Sequence, residues 1–410
     1  MSHSASLADY RTALTAPGAR GPVIGALFGR MPIAMVGLSL LFYVQRETGS
    51  FAIAGLVSAG ALVGVATGAV AQGRIADRIG PTRPLLVVVA ALALFVTLAV
   101  IAIESHAPTP VLIAVAFGVG LTEPGVGAAS RALWATLVPA GPVRHAAYAY
   151  EAISMEVFFI LGPAFAGLLA DAPWAGTGVV LGSAVMIAGG TFFALTPAVR
   201  AVRPEPHPDR RLLGALSSPG MVTLALAAGG FGVVVGFVEV AVPAVTTMAG
   251  EKAYGGMLLA IWSVSSVIFG VAYGTRPWPR EMHLRLPVLL GGFAIMVSLL
   301  AVPGTLWGLT IAMIVVGTLI TPQATAHSTA IELVAPNGTA TEAFGWIVTS
   351  VTLGLAAGQS MSGYLVEHHS PDASFLAATL AGLLIAAVVW ARRGTVAAGV
   401  PAPAAVPVSA

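Results

Sequence analysis

Twelve predominantly apolar runs follow one another along this chain. They lie near residues 21–45, 51–72, 84–103, 108–133, 146–170, 176–197, 219–248, 254–275, 286–302, 305–332, 340–366 and 374–391. A helix needs roughly 20 apolar residues to cross a bilayer, and each run is of that scale. In water such a chain could not cover its surface. Only 9% of its residues are charged and its mean hydropathy is +0.91, whereas soluble domains carry about 25% charge. The pattern predicts an all-α integral membrane protein with 12 transmembrane helices. There is no cysteine, so disulfides and thiolate metal sites are excluded. Neither a cofactor nor a metal is expected. A net charge of +2 gives no reason to expect nucleic acid as a partner.

The arginines set an orientation. With the N-terminus inside, the inside segments carry fifteen arginines, among them Arg11, Arg74, Arg144, Arg200 and Arg392. The outside loops carry only Arg46 and Lys252. Cytoplasmic loops are the ones enriched in basic residues, and an odd number of spans would scramble this asymmetry. Both termini are therefore expected in the cytoplasm. Residues 1–20 lack the basic-then-apolar order of a signal peptide and read as a cytoplasmic segment. Two six-helix bundles, 21–197 and 219–392, flank a polar inter-bundle loop at 198–218, and a disordered tail is expected over 393–410. The halves echo each other, as repeat-built transporters do. Glu123-Pro124 in span 4 matches Thr321-Pro322 in span 10, and Glu151 follows Pro139-Ala140-Gly141 as Glu342 follows Pro336-Asn337-Gly338.

Between spans 2 and 3 lies Gly73 to Pro84, GRIADRIGPTRP. Its pattern Gly73-x-x-x-Asp77-Arg78-x-Gly80 resembles the signature loop of the major facilitator superfamily. The resemblance covers about residues 21–392. It implies the fold of that family: two six-helix bundles related by pseudo-two-fold symmetry around a central path, in a bacterial cytoplasmic membrane. It implies a gating latch made of Gly73, Asp77, Arg78 and Gly80, with Arg131 at the end of span 4 and the start of span 11 as partners. Gly73 and Gly80 would permit close approach and tight turning. In span 5, Leu161-Gly162-Pro163 partly resembles the Gly-Pro motif of drug/proton antiporters of the family, but Phe158 stands where the upstream glycine belongs.

Ionisable residues inside spans are costly and mark functional sites. Spans 3, 6, 9 and 12, which the resemblance turns toward lipid, have none in their interiors. Arg30, Glu123 and Glu156 each lie roughly 13–15 Å deep at about 1.5 Å per residue. They are expected to form one proton-coupling or substrate cluster, with Arg30 paired to Glu123 as working part or as permanent scaffold. Glu151, some five residues into span 5, is expected to reach the cytoplasmic surface. Glu239 stands four residues before Pro243, where the helix ladder is expected to break, and is a candidate proton or cation site. Trp262, Gln323, His327, Trp346 and Gln359 are candidate lining residues of the path. Trp134, Trp174, Trp307 and Trp390 near span ends read as interfacial anchors.

The expected function is secondary active transport by alternating access, proton-coupled and exporting small amphipathic molecules, by a monomer. Proton-coupled uptake of a small metabolite is the alternative. Intramembrane catalysis has no support, since His-Glu-x-x-His, Gly-x-Ser-x-Gly and paired aspartates are all missing from the spans. A sensor would need a soluble effector domain, and no segment is long enough for one. No Gly-x-x-x-x-Gly-Lys-[Ser/Thr] loop is present, which excludes a pump driven by ATP.

Overall fold

Polar residues at the run boundaries start the helices. Ser50, Thr305 and Ser370 each accept the backbone N–H three residues on, at 3.0, 3.2 and 3.1 Å, the usual N-cap bond. The computed structural model describes residues 7–139, 142–202, 215–274, 281–336 and 340–397. Among these there are helices and turns and no strand.

A short α1 (Leu7–Leu14) precedes the first span, which is made of α2 (Arg20–Arg30) and α3 (Ile33–Thr48). Next come α4 (Phe51–Ile79), α5 (Thr82–Glu104), the pair α6 (Thr109–Leu121) and α7 (Val126–Leu137), α8 (Pro142–Ala170), α9 (Thr177–Leu195) and the one-turn α10 (Pro197–Arg200). The second half runs through α11 (Pro219–Met248), α12 (Lys252–Gly274), α13 (Met282–Val297), the pair α14 (Leu306–Gly317) and α15 (Ile320–Val334), α16 (Ala340–His368), α17 (Pro371–Ala391) and α18 (Gly394–Ala397). Eleven spans among the described residues are long and apolar enough to cross a membrane. The 29-residue α16 fills the one remaining place, the eleventh in chain order.

The packing repeats with a six-span offset. In the first half α4 packs on α6, α5 on α9 and α2 on α9; in the second α12 packs on α14, α13 on α17 and α11 on α17. The halves meet along α4–α16 and α8–α12, two contacts that the same offset exchanges. The outer spans turn apolar side chains outward. Val87, Leu94 and Ile101 on α5 and Leu376, Leu380 and Leu384 on α17 are all exposed, at helical spacing on one face. A continuous apolar exterior of this kind suits lipid rather than water. Of the tryptophans expected as anchors, Trp174, Trp307 and Trp390 are exposed, whereas Trp134 is buried.

Several local expectations are corrected. The segment between spans 2 and 3 is mostly helix: α4 runs on to Ile79 and α5 starts at Thr82. The turn is confined to Gly80-Pro81, where the Gly80 φ of 83° is accessible to glycine at little cost. Gly73 lies within α4, and a Cβ placed there would meet nothing within 4 Å among the described residues. The close approach expected at Gly73 is thus not made in this conformation. Part of the expected disordered tail is ordered, since α18 buries Val396 against the second half. Span 7 is not broken, because α11 continues through Pro243. Breaks occur instead at Met31-Pro32 in span 1, at Thr122–Gly125 in span 4 and at Thr318-Leu319 in span 10.

Candidate functional site

Arg30, the last residue of α2, is 3% exposed, and its guanidinium is paired with the carboxylate of Glu151 on α8, which is 1% exposed. The expected pairing with Glu123 is therefore replaced. The reason lies in helix length. α8 begins at Pro142, so Glu151 stands nine residues into it, at nearly the depth of Arg30 rather than near the surface. The second Glu151 oxygen accepts from Ser130 Oγ at 2.6 Å and from Trp134 Nε1 at 2.8 Å. Ser130 and Trp134 are four apart and share one face of α7. Arg30 also lies over the Phe158 ring, 5.8 Å from its centroid, the place where an antiporter glycine was sought. Among the described residues its Nε has no hydrogen-bond partner.

Glu123 lies at the break of span 4. α6 and α7 have 13 and 12 residues, so the break falls near the middle of the span. Pro124 has no N–H and cannot continue the ladder. Gln72 of α4 fills the gap: its Nε2 donates to the carbonyls of Leu121 at 3.1 Å and Glu123 at 2.8 Å, and its Oε1 accepts from Gly125 N–H at 2.8 Å. The Glu123 side chain is half-buried, and among the described residues no cation or donor reaches its carboxylate. Span 10 has a matching arrangement. At its break, Thr321 N–H donates to Ser266 Oγ of α12 at 3.1 Å, and the two hydroxyls lie 2.7 Å apart.

In the second half Glu239 is half-buried and accepts from Gln359 Nε2 at 2.8 Å. Gln323 and His327 are one turn apart on α15 and fully buried. His327 Nδ1 shares a hydrogen bond with the Gln323 carbonyl at 2.9 Å, while among the described residues His327 Nε2 and both polar atoms of the Gln323 amide have no partner. Trp262 is buried edge-on against Phe293, 6.3 Å between centroids, so it belongs to the interior of its own half. Trp346 is half-buried and Arg131 is exposed. The side chains of Glu156, Asp77 and Arg78 lie outside the described residues. Sequence reasoning passed over Gln72, Ser130, Ser266 and Glu367, and set Glu151 aside. Only the Ser130–Trp134 spacing carried a signal.

The halves are closed at one end. A Cβ added at Gly55 would meet the Gln359 carbonyl oxygen at 2.5 Å, and one at Gly167 the Ala253 carbonyl at 2.5 Å. Gly363 faces the Phe51 carbonyl, and Gly256 the Pro163 carbonyl, at least as closely. Backbones approach this way only where both helices carry small residues. Glu367, near the end of α16, seals the seam: its carboxylate accepts from Ser50 Oγ and from Ala52 N–H, the latter at 2.9 Å.

The model of the major facilitator superfamily matches residues 23–358, and the chain belongs to that family. It is a multi-pass membrane transporter rather than an enzyme. Solved transporters share its fold. The nucleoside transporter NupG aligns with a TM-score of 0.73 at 12% identity, over 90% of this chain and 99% of its own. The POT family transporter PepTSo gives 0.73 at 10%, over 93% and 99%. A bacterial homologue of the lysosomal transporter Spinster gives 0.69 at 14%, over 97% and 100%. A comparison with curated protein sequences finds no match.

Proposed function

We propose that this chain is a secondary active transporter working by alternating access, which exchanges protons for small amphipathic molecules and exports them. The observation that carries the reading is the state of Glu123. Arg30, the cation at its depth, is committed to Glu151, which leaves Glu123 as a half-buried carboxylate at a helix break with no ion pair among the described residues. A carboxylate so placed changes its proton affinity as its surroundings open and close, which is what coupling requires. The closed end supports the alternating part. Its seam between the halves rests on backbone packing and a few hydrogen bonds, contacts that separate without unfolding either half. The apolar make-up of the spans, with few charges, suits an amphipathic cargo.

The test is ethidium efflux from cells expressing the wild type or Glu123→Gln, with and without a protonophore. Protonophore-sensitive efflux that is lost in Glu123→Gln supports the reading. Efflux unaffected by protonophore removes proton coupling. No efflux from folded wild type removes the amphipathic cargo and favours uptake of a small metabolite.

A further inference from the structure

In a continuous helix the N–H of Gly125 would bond the carbonyl of Leu121, four residues earlier. That bond is open here, and Gln72 is inserted into it. Its Oε1 takes the Gly125 N–H and its Nε2 takes the Leu121 carbonyl, while the second amide proton goes to the Glu123 carbonyl. One glutamine thereby uses its acceptor and both donors on the two sides of the break. Glu123 N–H turns back to the Gly120 carbonyl at 3.1 Å, and Val126 N–H to the Pro124 carbonyl at 2.7 Å. The loop that presents Glu123 is thus closed on itself and pinned from outside by one side chain.

We propose that Gln72 is a positioning residue for Glu123, whose amide replaces the missing Gly125-to-Leu121 hydrogen bond and so holds the broken backbone, and with it the carboxylate, in one place. This rests on the reading of Glu123 as the proton-exchanging group. Gln72 is suited by length as well as chemistry: asparagine falls one methylene short, glutamate lacks the donors, and leucine has neither function. Gly125 contributes by being small, since a Cβ there would press to 3.3 Å from Gln72 Oε1.

The second half contains a weaker version of the same device. Ser266 accepts the N–H of Thr321 and bonds its hydroxyl, at the position that the repeat pairs with Glu123. Where a carboxylate stands, three bonds hold the break; where a threonine stands, one backbone bond does. The helix bearing Gln72 is also the one whose first turn forms the closed seam through Gly55. Gln72 therefore ties the carboxylate-bearing break to a helix that must shift when that seam opens.

The charged groups on the elements packed around the break do not substitute for it. Arg30 and Glu151 are bonded to each other. Arg144 is bonded to the carbonyls of Ala135 and Val138. Arg83 and Glu104 on α5, Arg131 on α7 and Arg200 on α10 are exposed. The side chains of Arg74, Asp77, Arg78 and Glu156 lie outside the described residues.

The test compares purified wild type, Gln72→Leu and Gln72→Asn in two ways. Hydrogen exchange is followed on peptides covering 118–130, and the pH profile of ethidium transport is measured in liposomes. Gln72→Asn keeps a polar amide and so provides the second variant should Gln72→Leu fail to fold. Exchange around Gly125 is expected to rise about tenfold or more in both variants. Their transport profile is expected to move by about half a pH unit or more, with kcat about tenfold lower and KM for ethidium within about twofold. Unchanged exchange, or faster exchange with an unmoved profile, overturns the proposal. If wild type does not transport ethidium, it is the exporter reading that fails. Exchange alone then decides for Gln72: a rise sustains the splice and no rise overturns it.

Discussion

The carboxylate of Glu367, near the end of α16, accepts the N–H of Ala52 in the first turn of α4 at 2.9 Å and also the hydroxyl of Ser50. These residues are more than 300 positions apart and belong to different halves. A negative charge at a helix N-terminus is stabilising because four backbone N–H groups there have no partner within the helix. The contact therefore joins the halves using only the exposed start of a helix, and it breaks when they separate. The family latch that the sequence suggests, around Asp77, lies at the opposite end of the same helix. The two ends of α4 would thus carry latches for opposite states.

Replacing Glu367 by alanine is expected to weaken this end selectively. A lost cap of this type is worth about 0.5–2 kcal/mol, a shift of roughly two- to thirtyfold between open and closed populations. The chain has no cysteine, so a thiol introduced at the buried Ala54 is the only site a maleimide can label. Faster labelling of Ala54→Cys in the Glu367→Ala background is the expected outcome; equal rates would mean that Glu367 does not hold the seam.

The glycine seam makes a sharper prediction. In Gly167→Ala or Gly256→Ala the new Cβ would lie far inside contact distance of a backbone atom of the other half, and backbone cannot rotate away as a side chain can. Neither variant is expected to unfold, since the clash exists only in the closed arrangement. Both should lose transport while holding this end open, read as maleimide labelling at Ala54→Cys near the rate of an exposed thiol.

Arg30 and Glu151 are expected to behave as scaffold. Removing one partner of a buried pair costs about 3–5 kcal/mol, because an uncompensated charge remains. Arg30→Leu and Glu151→Leu alone should therefore melt markedly lower in detergent. The double variant should recover most of that loss, as apolar replacements of buried pairs do. A double variant that melts normally yet does not transport would give the pair a working role as well.

Glu239→Gln preserves an acceptor for Gln359 and so leaves α11 packed on α16. If Glu239 takes up a proton during the cycle, the variant loses the part of the transport pH profile that depends on this group, with its melting temperature unchanged. A profile identical to wild type would assign Glu239 to structure alone.

Much of the fold was legible because it depends on quantities summed over many residues. About 20 apolar residues in a row and a steep arginine asymmetry need no knowledge of contacts. Glu123-Pro124 carried the local sign of its discontinuity, since proline's missing N–H is a local fact, but in the sequence it reads only as an echo of Thr321-Pro322. Pro243 carried the same local sign, yet α11 continues through it. A proline thus weakens a ladder, and neighbouring helices decide whether the helix parts. The partner of Arg30 was not legible. An error of four residues in the start of α8 moved Glu151 by a full turn, from the core to the apparent surface.

The sequence by itself determined that this chain lives in a bilayer as two similar six-span halves, and that a few charges lie deep within it. Burial in lipid selects composition over long stretches, so composition reports it. Which charge meets which, and what fills a broken helix, was decided only in three dimensions. Gln72 reaches a segment about 50 residues away, Arg30 one 121 away and Glu367 one more than 300 away. Such contacts leave no local period or spacing. Each exists because two helices bring complementary groups to the same depth.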